Sequence, residues 1–314
     1  MAKHREASEL IWAYLLHLGY NMWADRDTGD PTRLHITAQP YLRCDKLFWD
    51  ELLGVMQQVG VNMVVIDLGE GVQYKSHPEL AVRGSWSGEQ LRAELAKMRE
   101  MGLEPIPKLN FSTAHDAWLG PYARMVSTDT YYRVCADLIA EVSELFDAPR
   151  FFHLGMDEET ARHQRNYAYA VMRQYDLWWH DLLFLVEQVE KARGRAWVWS
   201  DYIWEHRDEF LERMPKSVLQ SNWYYGSDFS ETVGYVNAYR DLESHGYDQI
   251  PTGSNWSNAD NFPKTVAFAK EQIAPERLLG FLQTVWKPTL EMERERHMEA
   301  LDLIRQGREV WDAA

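Results

Sequence analysis

Asp157 and Glu158 stand side by side behind an apolar stretch, Phe151-Phe152-His153-Leu154-Gly155-Met156, with Glu159 next. Residues 150–154 read as a short buried strand, and Gly155 permits a sharp turn at its end. Acids at the C-terminal end of a strand stand where α/β folds hold their chemistry. Two adjacent carboxyls in a protected site cannot share one environment, so one can stay protonated while the other stays charged. Acid-assisted bond cleavage needs that division of labour. An arbitrary Asp-Glu pair is more simply a solvated acidic turn. The framing His-x-Gly-x-Asp-Glu behind an apolar strand argues instead for a site.

The elements that must hold this pair alternate along the chain, which favours a parallel sheet with crossover helices. Strands are expected at 14–18, 63–67, 104–109, 150–154, 196–200, 218–222, 249–254 and 278–284. Most are short and continuously apolar, as strands buried on both faces should be. The seventh carries Pro251 and Gly253 and is the least regular. Asp45 suits a cap for a helix with Phe48, Leu52, Met56 and Val59 on one face. Ser87-x-x-Gln90 reads as a capping box before Leu91, Leu95 and Met98, with Gly102 as the stop. Further helices are expected around Leu138–Leu145, up to Gly194, and near 231–244, 263–271 and 290–305. The economical architecture is an α/β chain forming one (β/α)₈ TIM barrel over residues 1–314, with its active site in the loops at the strand C-termini.

Under that architecture the strand ends deliver Asp67, Glu70, His115, Asp157, Glu158, Trp199, Asp201, Trp223, Tyr225, Asn255 and Trp286 toward one mouth. Trp23, Arg26, Tyr224 and Trp256 lie nearby in the chain. A mouth rich in indole, carboxylate and amide suits a neutral polyol such as a sugar, held by stacking and hydrogen bonds. No glycine-rich phosphate cradle or dinucleotide fingerprint is present. His115, His153 and the acids offer metal-ligand chemistry as an alternative, but no His-x-x-x-His pair supports it, and a lone His in an apolar strand is more often a core or supporting group.

The net charge of −15 argues against a nucleic-acid partner, anionic membranes and polyanionic glycans. Two cysteines, Cys44 and Cys135, make no disulfide framework or metal spacing. The polar start at residues 1–6 lacks a signal core, and no run is long enough to span a bilayer, so a cytoplasmic location is expected. Aromatic residues outside the mouth are candidates for a homodimer face.

The segment 151–159 resembles the signature of glycoside hydrolase family 20, the β-N-acetylhexosaminidases. Asp67 to Leu80, ending Lys75-Ser76-His77-Pro78-Glu79-Leu80, is similar to that family's loop after its second strand. Ile106-Pro107-Lys108-Leu109-Asn110 through His115 resembles its third-strand loop. The likeness is diffuse after residue 160. It implies a barrel in which Glu158 is the general acid and base, and Asp157 orients the substrate's 2-acetamido group. It further implies His153 as a support and Trp199, Trp223 and Trp286 as walls, with no metal or organic cofactor. The chain departs from the pattern in recognition residues. The first strand, Ala13 to Tyr20, has no arginine, the seventh reads Gly253-Ser254-Asn255-Trp256, and the last ends Trp286-Lys287-Pro288. The resemblance therefore implies an altered substrate preference.

Overall fold

The computed structural model describes residues 10–29 and 35–313; the polar start at 1–6 lies outside the described residues. Eight parallel strands form a nearly closed barrel. They are β1 (Ile11–His17), β2 (Met63–Asp67), β3 (Glu104–Lys108), β4 (Phe151–His153), β5 (Arg195–Trp199), β6 (Leu219–Ser221), β7 (Thr252–Ser254) and β8 (Gly280–Thr284). The sheet runs β6-β5-β4-β3-β2-β1-β8-β7. Bridges pairing Gln220 with Gln249 and Trp223 with Thr252 close the remaining seam.

Helices α1 (Lys46–Val59), α2 (Gly88–Glu100), α3 (Asp129–Leu145), α4 (Asp176–Lys191), α5 (Arg207–Arg213), α6 (Gly234–Ser244), α7 (Asn261–Gln272) and α8 (Arg294–Asp312) follow the strands in turn. The expected caps are in place: Asp45 accepts from Leu47 N–H at 3.1 Å, and Ser87 accepts from Gln90 N–H at 3.1 Å. Helix α5 has no counterpart in the expected set. It is seven residues long and buries Phe210 alone, so it carries no apolar stripe to read. Strand β1 begins three residues before its expected start, because Ile11-Trp12-Ala13 pairs with β8. No helix among the described residues is long and apolar enough to cross a membrane.

Side-chain alternation decides what the barrel interior contains. Ala13, Leu15, Met63, Val65, Ile106, Phe151, Trp197 and Leu282 pack together inside it. One step further along, the in-register row His17–Asp67–Lys108–His153 places four polar side chains at the top of that interior. All four are buried. Lys108 Nζ meets Asp67 Oδ2 at 2.5 Å, which compensates both charges. Burial pushes both the His17 and His153 imidazoles down, so each stays neutral.

The outer layer is tied to the barrel by a polar contact as well as by packing. Tyr14 OH lies 2.7 Å from His297 Nδ1, and His297 Nε2 lies 3.0 Å from the Pro288 carbonyl. Burial lowers His297 to about 4, so Nε2–H donates to the carbonyl and Nδ1 accepts from the tyrosine. Tyr14→Phe is expected to leave Nδ1 without a donor and to cost about 1–3 kcal/mol. Urea unfolding should show a lowered midpoint with an unchanged slope.

Candidate active site

The turn after β4 is left-handed at three positions: Gly155 at φ 72°, Met156 at φ 76° and Glu158 at φ 56°. Two of these are not glycine, and such backbone persists only where its surroundings hold it. Asn110, two residues beyond β3, does much of the holding. Its Oδ1 accepts from Ser112 N–H at 3.0 Å and Met156 N–H at 3.3 Å, while its Nδ2 donates to Asp157 Oδ1 at 2.9 Å. The Ser112 hydroxyl donates to the Asp157 carbonyl. From β5, Asp201 Oδ2 accepts from Glu158 N–H at 2.8 Å. The acid pair is thus clamped from both neighbouring strands.

His115 stands between the two carboxylates. Its Nδ1 is 3.3 Å from Asp157 Oδ1, and its Nε2 is 3.4 Å from Glu158 Oε2. Burial alone would push the imidazole down, but the facing acids outweigh it and lift it to about 10. Burial would likewise raise Asp157. The His115 charge and contact, then Lys108 and the Asn110 amide, hold it well below the usual carboxylate range. Asp201 goes the other way: burial and the Asp157 charge raise it to about 8. Neighbouring acids in one mouth therefore occupy opposite protonation regimes.

The mouth is a cavity of about 760 Å³. The structure brings His115, Asp157, Glu158, Trp223, Tyr225 and Trp286 together in its wall, with Trp23, Tyr224 and Trp256 beside them. Trp286 Nε1 donates to Tyr225 OH at 2.9 Å. The Trp286 ring lies 5.7 Å from His17 and 5.9 Å from Trp199, and Lys108 Nζ is 6.0 Å from its centre. This indole separates the cavity from the polar row below it.

The other expected residues lie outside the wall. His153 and Trp199 pack ring to ring at 4.3 Å inside the barrel, and His153 Nδ1 accepts from Gly155 N–H at 3.0 Å. Asp67 belongs to the Lys108 pair. Asp201 supports the Glu158 amide and lies 3.4 Å from Trp223 Nε1. Glu70 accepts from Tyr20 N–H at 2.8 Å and Asn21 N–H at 3.1 Å, shaping the loop after β1. Asn255 donates to the Arg296 carbonyl at 2.9 Å and Glu299 at 2.7 Å, facing α8. Arg26 is exposed.

Sequence reasoning passed over two features. Lys108 was legible as an isolated cation in a buried strand. Arg162, His163 and Arg165, in the loop between β4 and α4, line the cavity without any periodic signal.

His115, Asp157 and Glu158 also form, among the described residues, the group whose potential metal-ligand atoms lie within 4.8 Å of one another. The imidazole spends a different nitrogen on each carboxylate. A metal ion needs one nitrogen and both carboxylates converging at about 2 Å. The arrangement fits an imidazolium bridge better than a coordination sphere.

A parallel barrel with an acid pair, a histidine and a wall of indoles at its C-terminal mouth is an α/β barrel with its candidate site where such barrels carry theirs. No family model matches the chain, and no curated protein matches it. Solved structures do share its fold. The β-N-acetylhexosaminidase from Bacteroides fragilis aligns at a TM-score of 0.66 with 14% identity, over 95% of this chain and 65% of that one. An inactive mutant of the family 20 exo-β-N-acetylglucosaminidase from Vibrio harveyi aligns at 0.63 with 14% identity, over 95% and 54%. The family 20 β-N-acetylhexosaminidase from Streptomyces coelicolor aligns at 0.60 with 14% identity, over 95% and 64%. The chain thus spans between 54% and 65% of the length of these structures. The barrel expected from the sequence resemblance is the barrel observed.

Two outcomes test the site's construction. A Cβ at Gly155 would lie 2.0 Å from Asn110 Oδ1, at a φ that L residues avoid. Gly155→Ala should therefore cost about 2–4 kcal/mol in urea unfolding, combining left-handed strain with overpacking. The second concerns pH. His115 is raised from 6.5 to about 10, so its contribution to stability is complete below pH 6.5 and is lost as pH rises through 10. Unfolding midpoints should fall across that window, and His115→Gln should flatten the fall.

Proposed function

We propose that the protein is an exo-acting glycoside hydrolase for β-linked 2-acetamido-2-deoxy sugars. The observation that carries this reading is the placement of His115 between Asp157 and Glu158 in an indole-walled cavity. The likeness of fold to family 20 enzymes supports it, as does the motif His-x-Gly-x-Asp-Glu.

In this mechanism Glu158 protonates the leaving oxygen, and the substrate's acetamido oxygen attacks the anomeric carbon. The C–O bond to the leaving group breaks, and a cyclic oxazolinium forms with inverted configuration. Asp157, held ionised, accepts the acetamide N–H and balances the positive charge that develops. Water then attacks the anomeric carbon while Glu158 takes its proton, and the bond from that carbon to the acetamido oxygen breaks, restoring the acetamide. The second inversion gives net retention. The rings of Trp223 and Trp286 cover the apolar sugar face, and Tyr225 offers a hydroxyl to the acetamide. Asp201 and Glu70 are each engaged with backbone amides. The resemblance to family 20 points to the substrate's own acetamide as the nucleophile, where most glycosidases use a second carboxylate.

The test is hydrolysis of aryl β-GlcNAc and β-GalNAc against β-Glc and β-Gal. Turnover should be confined to the acetamido pair. Glu158→Gln should lower kcat about 10²–10⁴-fold, the usual worth of a general acid. Asp157→Asn should lower it about 10²–10³-fold, as for loss of one preorganised electrostatic partner. Equal turnover of the plain sugars, with Asp157→Asn mild, would overturn the acetamido mechanism. Sugar binding without turnover would indicate a binding barrel.

A further inference from the structure

The loop between β4 and α4 presents to the cavity two cations that pair with none of the described residues. Several arginines in this acidic chain are tied up by acids: Arg150 by Glu104, Arg173 by Glu159 and Asp181, Arg294 by Glu51 and Glu291. Arg162 and Arg165 line the cavity yet make no hydrogen bond, ion pair or ring contact with the described residues. Their backbone is nevertheless fixed. Gln164, between them, is buried: its Nε2 donates to Thr113 Oγ1 at 3.0 Å, and its Oε1 accepts from Val171 N–H at 2.8 Å. Tyr167 is buried too, donating to the Met22 carbonyl and accepting from Ala117 N–H at 3.2 Å. Buried anchors thus alternate with cavity-facing cations.

The loop's position identifies what it faces. His163 Nε2 lies 3.4 Å from Glu158 Oε1, while the other Glu158 oxygen faces His115. The loop therefore meets Glu158 at the oxygen that His115 does not face. With the acetamide at Asp157 and the leaving oxygen at Glu158, the loop borders the acid that serves the leaving group. We propose that Arg162 and Arg165 bind an anionic group, a carboxylate or a sulfate ester, on the leaving-group sugar. The ligand's identity rests on the glycosidase reading above. Guanidinium forks match these planar or tetrahedral oxyanions and hold them with charge-assisted hydrogen bonds. The chain's net charge of −15 repels polyanions at long range, so a local cation pair selects one anion placed at the mouth.

The test uses the full chain and three β-GlcNAc disaccharides, with a neutral, a uronic-acid or a 6-sulfated reducing-end sugar. At low salt, kcat/KM for one of the two anionic substrates should exceed the neutral value about tenfold or more, the usual weight of a hydrogen bond to a charged group. The ratio should shrink toward one in 0.5 M NaCl, roughly as screening predicts. Which anionic substrate is preferred separates carboxylate from sulfate. Arg162→Gln and Arg165→Gln should each lower the ratio, and the double variant should remove it. Lysine at either position should keep part of it, whereas a merely misfolded loop would depress all three substrates alike. In parallel, calorimetry measures binding of the same disaccharides to Glu158→Gln protein. If no disaccharide is cleaved, the glycosidase reading fails. Anion-selective binding lost in the arginine variants would still uphold the cation pair. A ratio near one in both assays, or one that survives the double variant, overturns the proposal.

Discussion

Asp157 carries its charge in a closed mouth where charge is poorly screened, with a second acid, Glu158, next to it in the chain. The arrangement holds because His115 stands between the two acids, one ring nitrogen toward each. It keeps Asp157 ionised against its burial, and it faces one oxygen of Glu158 while the other faces His163. Much of the surrounding structure serves this contact. Asn110 clamps Asp157 from β3, Asp201 clamps Glu158 from β5, and the left-handed turn at residues 155–158 folds the pair over the barrel.

Below the pair, the barrel keeps a polar row where its interior would otherwise be apolar. Burying His17, Asp67, Lys108 and His153 is costly, and the Lys108–Asp67 pair offsets part of that cost by mutual neutralisation. Lys108 also favours the ionised Asp157 and the neutral His153. Trp286 closes this row off from the cavity with backbone at φ 52°, another position held by its neighbours. Its indole is at once the roof of the polar row and part of the cavity wall.

The outer rim is organised on a different principle. Its loops are long and irregular, and they are held by single buried polar side chains such as Gln164 and Tyr167. Such anchors fix backbone while leaving the intervening residues exposed, and recognition residues tend to be carried in this way. The chemistry therefore rests on rigid strand ends, and discrimination among substrates falls to the loops.

The sequence by itself determined the alternation of strand and helix, the caps at Asp45 and Ser87, and the acid pair at the end of β4. Each of these is a local pattern: an apolar run, a capping side chain, a glycine before two carboxylates. It also contained His115, because a histidine a few residues past a strand end reads as mouth-facing. Only the tertiary structure decided which strand-end residues meet. Asn255 turns to α8, Glu70 to the β1 loop and Asp201 to the Glu158 amide, and sequence spacing sets none of these directions. Helix α5 and the cation pair on the β4 loop were equally illegible, since neither has an apolar period to betray it. Register within the barrel made Lys108 a partner of Asp67 and His153, and it arises from pairing across more than forty residues of chain. Local patterns depend on neighbours in sequence, whereas a site depends on which distant strands lie side by side.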